Sequence, residues 1–202
     1  MVKLVINGQE REINPKNYKN FGELLDEIQK EFKDKVLAKV VVNGKVVPMI
    51  HIDELRGAIL DEEGLTIELE YKPLKEFLLD MLQNIIKYLD NVLSLLPKVS
   101  EDMIVDTEKG YNAIKDLSEG LSAVEDLRKN TEKISNLSPK DVGLSEEQEG
   151  EVVGILKDFV DSLEKRDIIE LSDIIEYQLP KVLKYYKEYF GKVKDILEQQ
   201  AS

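Results

Sequence analysis

The chain changes its hydrophobic period near residue 72. Before it, short runs alternate apolar and polar residues, the period of a strand. After it, apolar residues recur every three or four positions, the period of a helix. Val2 to Ile6 is β-branched and apolar-rich and meets Asn7-Gly8 directly, and Gln9 to Ile13 returns with polar and apolar residues alternating. Asn-Gly suits a type I′ turn, because both of its residues tolerate positive φ, so this segment reads as a hairpin. Asn20, with Glu23 three residues on, reads as a helix start, and Phe21, Leu24, Leu25, Ile28 and Phe32 give that helix one apolar face. Val36 to Val42 is a third strand, Asn43-Gly44 a second tight turn, and Lys45 to Pro48 a short fourth strand. A compact stretch around Ile52, Leu55 and Ile59 leads to a turn at Asp61-Glu62-Glu63-Gly64. Leu65 to Tyr71 then alternates as the last strand.

This order of hairpin, helix, strand, short strand, irregular turn and strand resembles the ubiquitin-like β-grasp fold, over roughly the first third of the chain. The resemblance lies in the order of elements and implies a fold, not an activity. Ubiquitin-like modifiers and sulfur carriers end their last strand in a tail closing with Gly-Gly, whose carboxylate is the reactive group. Here Tyr71-Lys72-Pro73 runs on into further chain, which closes with Gln200-Ala201-Ser202. Conjugation and sulfur transfer are therefore not expected, and a docking module is.

From Pro73, a residue welcome at the first position of a helix, the pattern predicts four helices. The first carries Leu74, Leu78, Met81, Ile85, Leu89, Val92 and Leu96 along one seam, and Pro97 ends it. Ser100 caps the second, from about Glu101 to Asn136, with a stripe of Ile104, Ile114, Leu117, Leu121, Val124, Leu127 and Ile134 and weak points at Gly110 and Gly120. After a loop over Leu137 to Leu144, Ser145-Glu146-Glu147-Gln148 is a capping box for the third, apolar at Val152, Ile155, Leu156, Phe159, Val160 and Leu163. Asp167, with Glu170 three residues on, caps the fourth, which Pro180 should kink. The expected whole is an α+β chain, a ubiquitin-like β-grasp domain over 1–72 followed by an antiparallel four-helix bundle over 73–202. At ~1.5 Å per residue the helices would span roughly 35, 54, 30 and 48 Å. The second and fourth would overhang their neighbours at their C-terminal ends.

Composition removes several classes of function. Hydrophobic residues make up 42% and charged residues 34% of the 202, enough apolar content for a core and more charge than usual. No run reaches the ~18 uncharged apolar residues that cross a bilayer, and the apolar start is too short for a signal peptide, so a cytoplasmic protein is expected. The absence of cysteine excludes disulfides, thiolate metal sites and thiol nucleophiles. No Trp and abundant Lys and Glu lean towards a thermophilic source, against which stand ten Asn residues. The net charge is −13: residues 1–72 carry 11 basic and 14 acidic side chains, a net of −3, and residues 73–202 carry 17 and 27, a net of −10. Such a surface repels nucleic acid and anionic membranes, and neither is an expected partner.

The candidate chemistry is sparse. His51 is the only histidine, so neither a Ser-His-Asp triad nor a two-histidine metal site is readily built, and it reads as a surface or locally bonded side chain. Glu170, Asp173 and Glu176, with Asp161, Glu164 and Asp167 upstream, form a carboxylate row that could hold Mg²⁺ or Ca²⁺ or could be a solvated helix face. No EF-hand spacing, Walker loop or Gly-x-Gly-x-x-Gly occurs. Lys181 to Lys194 interleaves Lys181, Lys184, Lys187, Lys192 and Lys194 with Tyr185, Tyr186, Tyr189 and Phe190. Those aromatics could be core, a protein interface or a stacking surface for single-stranded nucleic acid. The expectation is a non-enzymatic interaction module (adaptor, scaffold or chaperone-like) that takes no cofactor. It would bind a protein partner, or a second copy as a homodimer, through Tyr185, Tyr186, Tyr189 and Phe190. The alternatives are a divalent-metal protein or enzyme built on the carboxylate row, and RNA binding through the Lys/Tyr stretch.

Overall fold

The computed structural model describes residues 2–60 and 64–200 (of Ile50 the backbone alone), and the chain divides into two compact units, Met1–Phe77 and Leu78–Ser202. The turn expected at Asp61-Glu62-Glu63 and the end at Ala201-Ser202 lie outside the described residues. The fold class is α+β: a five-stranded mixed sheet, then long helices. No helix among the described residues is long and apolar enough to cross a membrane.

In the first unit the strands are β1 (Val2–Ile6), β2 (Gln9–Ile13), β3 (Lys35–Val42), β4 (Lys45–Val47) and β5 (Thr66–Pro73), in the order β2-β1-β5-β3-β4. β5 is central. It runs parallel to β1 and antiparallel to β3, and β2 and β4 are the two edges. Alternation buries Val2, Leu4 and Ile6 of β1 and Ile67, Leu69 and Tyr71 of β5 with Leu24, Leu25 and Ile28 of helix α1 (Phe21–Glu31). A one-turn helix, α2 (Ile52–Leu55), adds Ile52 to that core. Asn20 caps α1 by accepting the Glu23 N–H at 2.9 Å, and Glu23 accepts from Lys19 N–H at 2.6 Å.

Both Asn-Gly turns form with positive φ, 49° at Asn7 and Asn43, 79° at Gly8 and 76° at Gly44. Their asparagines do more than turn the chain. The Asn7 amide accepts from Tyr71 N–H at 2.7 Å and donates to Tyr71 C=O at 3.2 Å, and Asn43 accepts from Thr66 N–H at 3.0 Å. The side chains of the two turns thus hold opposite ends of the central strand.

The second unit holds α3 (Leu74–Val105) from Leu78 onward, α4 (Thr107–Ser135), α5 (Glu146–Lys165), α6 (Ile168–Asp173) and α7 (Leu179–Gln199), with a π turn (Ile174–Gln178) joining the last two. Cross-contacts fix an up-down-up-down order. Ser100 of α3 meets Ser172 of α6 while Asp90 meets Lys187, so these rods run oppositely; Glu125 of α4 meets Tyr186 of α7 while Leu137, just past α4, meets Tyr189, so α4 and α7 run in the same sense. The capping box at Ser145 and Gln148 and the Asp167 cap both form as the sequence predicts.

Two expectations about the helix breaks are corrected. Pro97 does not end the first helix: α3 continues to Val105, carrying Leu96 and Met103 into the core at 1% and 0% exposure. Tertiary burial outweighs the local cost of ~3 kcal/mol for an internal proline. Ser100 is accordingly not a cap but a buried hydroxyl bonded to Ser172 Oγ at 2.8 Å and to Glu176 at 3.1 Å. The cap is Asp106, a single residue between helices, whose carboxylate accepts from Lys109 N–H at 3.2 Å. α4 then runs unbroken through Gly110 and Gly120. Pro180, expected to kink the last helix, is preceded by the π turn, where Leu179 N–H donates to Ile174 C=O. The wider turn gives the pyrrolidine ring room that a regular α-helix lacks.

The overhang disappears with these corrections. α3 and α4 have 32 and 29 residues, about 48 and 44 Å, so only α5, with 20, is short. The loop over 136–145 fills the space at that end with Val142 and Leu144, both buried.

Gly110 explains the one-residue turn. A Cβ there would lie 2.7 Å from Met103 Cα and 2.9 Å from Met103 N, so α4 leaves α3 in backbone contact that only glycine permits. Gly154 of α5, by contrast, faces open space. Gly110→Ala should therefore destabilise by about 1–3 kcal/mol in urea unfolding despite alanine's better helix propensity. Gly154→Ala should stabilise by about 0.5–1 kcal/mol. Equal signs for the two would contradict the backbone contact.

Candidate interaction surface

The aromatic stretch of α7 is placed inside the bundle. Tyr185, Tyr186, Tyr189 and Phe190 are 6%, 2%, 0% and 0% exposed, so they have no surface to offer a partner, and the docking role expected of them is replaced by a core role. Tyr186 donates to Glu125 at 3.0 Å and Tyr189 to Leu137 C=O at 2.9 Å, while the Tyr185 hydroxyl is buried without a partner. Burial raises the pKa of all three phenols, that of Tyr186 further through Glu125. Four of the five lysines in the stretch form ion pairs: Lys181 with Glu151, Lys187 with Asp90, Lys192 with Glu188 and Lys194 with Glu198.

Beside Tyr186, Arg128 forks onto Glu125 at 2.9 Å through two nitrogens and reaches Glu132 at 2.9 Å. Burial pushes the Glu125 carboxyl up, but the Arg128 hydrogen bonds and charge, Tyr186 and Lys129 outweigh it and hold it below its ordinary value.

The remaining candidates do not assemble. His51 is exposed at the surface and contacts Glu54 at 3.3 Å. Among the described residues no three His, Asp or Glu side chains come together as a metal site. Within the carboxylate row, Asp167 caps α6 and Glu176 accepts from Ser100 on α3.

The feature that no sequence pattern announced lies where the two shortest connections of the bundle meet. Asp106 joins α3 to α4, and Arg166-Asp167 joins α5 to α6. Met103, Ile104, Thr107, Lys165, Arg166, Asp167, Ile168 and Ile169 line an open concavity of about 830 Å³ there. Its floor is Met103, fully buried. Ile104, Val105 and Ile169 at this end are 66%, 76% and 74% exposed. Ile104 was expected in the apolar stripe of a core-facing helix. The structure puts it instead on the last turn of α3, exposed next to the fully buried Met103. Clustered large aliphatic side chains at such exposure mark binding surfaces more often than scattered ones do.

The polar groups of this end are largely committed. Asp102, 7% exposed, binds Lys109 at 2.8 Å and Lys98 at 3.0 Å, and hydrogen bonds from those two lysines hold its carboxyl below its usual range. Arg166 ends α5 in the left-handed conformation (φ 55°), a position that favours glycine, with its N–H on Leu163 C=O at 3.2 Å.

The family model of DUF8042, a domain of unknown function, matches residues 80–189, more than half of the chain, and the protein belongs to that family. The lining of the concavity falls wholly within the matched segment. Residues 2–72 are similar to the TP0873 N-terminal domain. No curated protein matches the chain, and no solved structure does.

The three tyrosines give a signed test of the core assignment. Tyr186→Phe and Tyr189→Phe each remove a satisfied buried bond and should cost about 1 kcal/mol, whereas Tyr185→Phe removes an unpartnered hydroxyl and should be neutral or stabilising. Thermal melts of the three variants decide it. A second test is the pH dependence. A carboxyl depressed in the folded state contributes stability that is fully present above its unfolded pKa and is lost as pH falls through the folded value. The melting temperature should therefore fall between roughly pH 5 and pH 3, and Glu125→Gln should make that fall shallower while lowering the neutral-pH value.

Proposed function

We propose that the protein is a non-enzymatic protein-binding module whose helical unit docks a partner at the end formed by Ile104, Val105 and Ile169. The carrying observation is the exposure of these three large aliphatic side chains, 66%, 76% and 74%, two of which, Ile104 and Ile169, line one concavity. Burying each would contribute about 1.5–3 kcal/mol, the scale on which a few anchors dominate an interface. The first unit supports the same reading. Its five-stranded sheet, with β1 parallel to the central β5, supports reading this unit as the ubiquitin-like β-grasp proposed from the sequence, a fold widely used for docking. The lone histidine, exposed and bonded to its own helix turn, offers no partner for acid–base chemistry.

The test is site-specific photo-crosslinking in cells that express the native protein. A benzophenone side chain at Ile169 or Val105 should give one discrete heavier adduct, and the same group at exposed Lys157 on α5 should not. Equal labelling from all three positions, or none, would sink this reading.

A further inference from the structure

We infer that Asn7 is a modification site of the first unit: deamidation at Asn7-Gly8, held in check by the side-chain bonds to Tyr71, unfastens one end of the central strand. This inference concerns the first unit alone and is independent of the docking proposed for the helical unit.

The dipeptide supplies the reaction. Ten asparagines occur in the chain, and only Asn7 and Asn43 are followed by glycine. Once the Gly8 backbone nitrogen gives up its proton, it can attack the carbonyl carbon of the Asn7 side chain. A C–N bond forms to the Gly8 nitrogen, the bond from that carbon to Nδ2 breaks, and Nδ2 leaves with a proton as ammonia. Water then opens the five-membered succinimide at either carbonyl, giving aspartate or isoaspartate. Solvent water is the co-reactant, and nothing is oxidised or reduced. Glycine favours the attack because no Cβ crowds its nitrogen. Both residues are exposed, so water reaches the turn.

The fold opposes the reaction. Asn7 Oδ1 accepts from Tyr71 N–H at 2.7 Å and Nδ2 donates to Tyr71 C=O at 3.2 Å, so both polar atoms of the amide are held on the central strand. The Asn7 N–H donates to Leu69 C=O at 2.9 Å as well. Closing the ring requires the side chain to leave Tyr71 and turn towards Gly8. Deamidation therefore proceeds from the small fraction of molecules in which this end of the strand has opened, and its rate falls with that fraction. Asn43, whose Oδ1 accepts from Thr66 N–H at 3.0 Å, is restrained in the same manner at the other hairpin.

Neither product restores the clamp. An aspartate product sets a carboxylate oxygen where Nδ2 donated, against the Tyr71 carbonyl oxygen, so two acceptors meet with no hydrogen between them. An isoaspartate product routes the main chain through the former side chain. The added atom lengthens a two-residue turn whose geometry sets Ile6 opposite Gln9. Since β5 lies between β1 and β3, the loss falls at the centre of the sheet.

The full chain, aged at mildly alkaline pH in native buffer and in urea, tests the inference by peptide mass mapping. Exchange of NH for O at Asn7 should be at least ~tenfold slower in native buffer than in urea. In urea, Asn7 and Asn43 should convert ahead of the other asparagines. Asn7→Asp reproduces one product: its melting temperature should fall by several degrees, and hydrogen exchange at Leu69 and Tyr71 should quicken several-fold while α5 is unchanged. Should that variant not fold, the deamidated fraction of the aged protein, separated by its added negative charge, takes its place in the same measurement. Equal rates in the two solvents overturn the restraint, and conversion of other asparagines ahead of Asn7 in urea overturns the site. A deamidated chain as stable and as slowly exchanging as its parent overturns the loss of the clamp.

Discussion

The contact of Gly110 with the Met103 backbone sets the end of the helical unit, and much else follows from it. Two long helices usually need several residues to reverse direction; here one, Asp106, suffices, because glycine lets the second helix start against the last turn of the first. α3 must then run its full 32 residues to reach that turn, which is why Pro97 is carried inside it. The extra turns bring Ser100 beside Ser172 and Glu176, a buried polar join between the first and last rods. A one-residue connection also leaves no chain to fold back over the helix end. The opposite end differs: the connection over 136–145 lowers Val142 and Leu144 into the core, and its Leu137 carbonyl takes the Tyr189 hydroxyl. One end is therefore closed by a loop, and the other keeps Ile104, Val105 and Ile169 in solvent.

The aromatic-rich stretch of α7 has a related explanation. Buried positions on that helix come in adjacent pairs, Val182-Leu183, Tyr185-Tyr186 and Tyr189-Phe190, a stripe too wide for one neighbour. α7 packs on both α4 and α5, so two faces need apolar cover, and the lysines fall in what remains. Alternating aromatic and basic residues look like a binding surface in a linear sequence. Wound into a helix with neighbours on two sides, they separate into a core and a row of ion pairs.

What could be read from the residues alone was whatever is decided within a few positions. The Asn-Gly turns, the strand periods and the caps at Asn20, Ser145 and Asp167 are local, and each forms where expected. The breaks failed because a proline or glycine states only a local cost. Pro97 was weighed without the burial of Met103 beyond it, and Gly110 as a weakness, not as the condition for a close approach. A signal did exist: Asp106 followed by Gly110 is a capping residue with a small residue one turn into the helix. The exposed end was invisible for a stronger reason. Ile104 belongs to the same apolar period as buried Ile114, and whether a stripe residue is covered depends on the length of a distant connection.

The chemistry of the exposed end also follows from how its backbone is completed. Each short connection must supply acceptors for the first N–H groups of the next helix, and both do so with aspartate, Asp106 for α4 and Asp167 for α6. Those carboxylates keep their charge while they hold the first turns of their helices. Asp102 is paired with Lys98 and Lys109. Lys165, in the last turn of α5, suits the negative end of the helix dipole, and Arg166 closes that helix. Both aspartates stay ionised while they cap, and Glu108, Glu164 and Glu170 stand beside them, so this end keeps the acidic character of the helical unit, and what sets it apart is the exposure of its large aliphatic side chains.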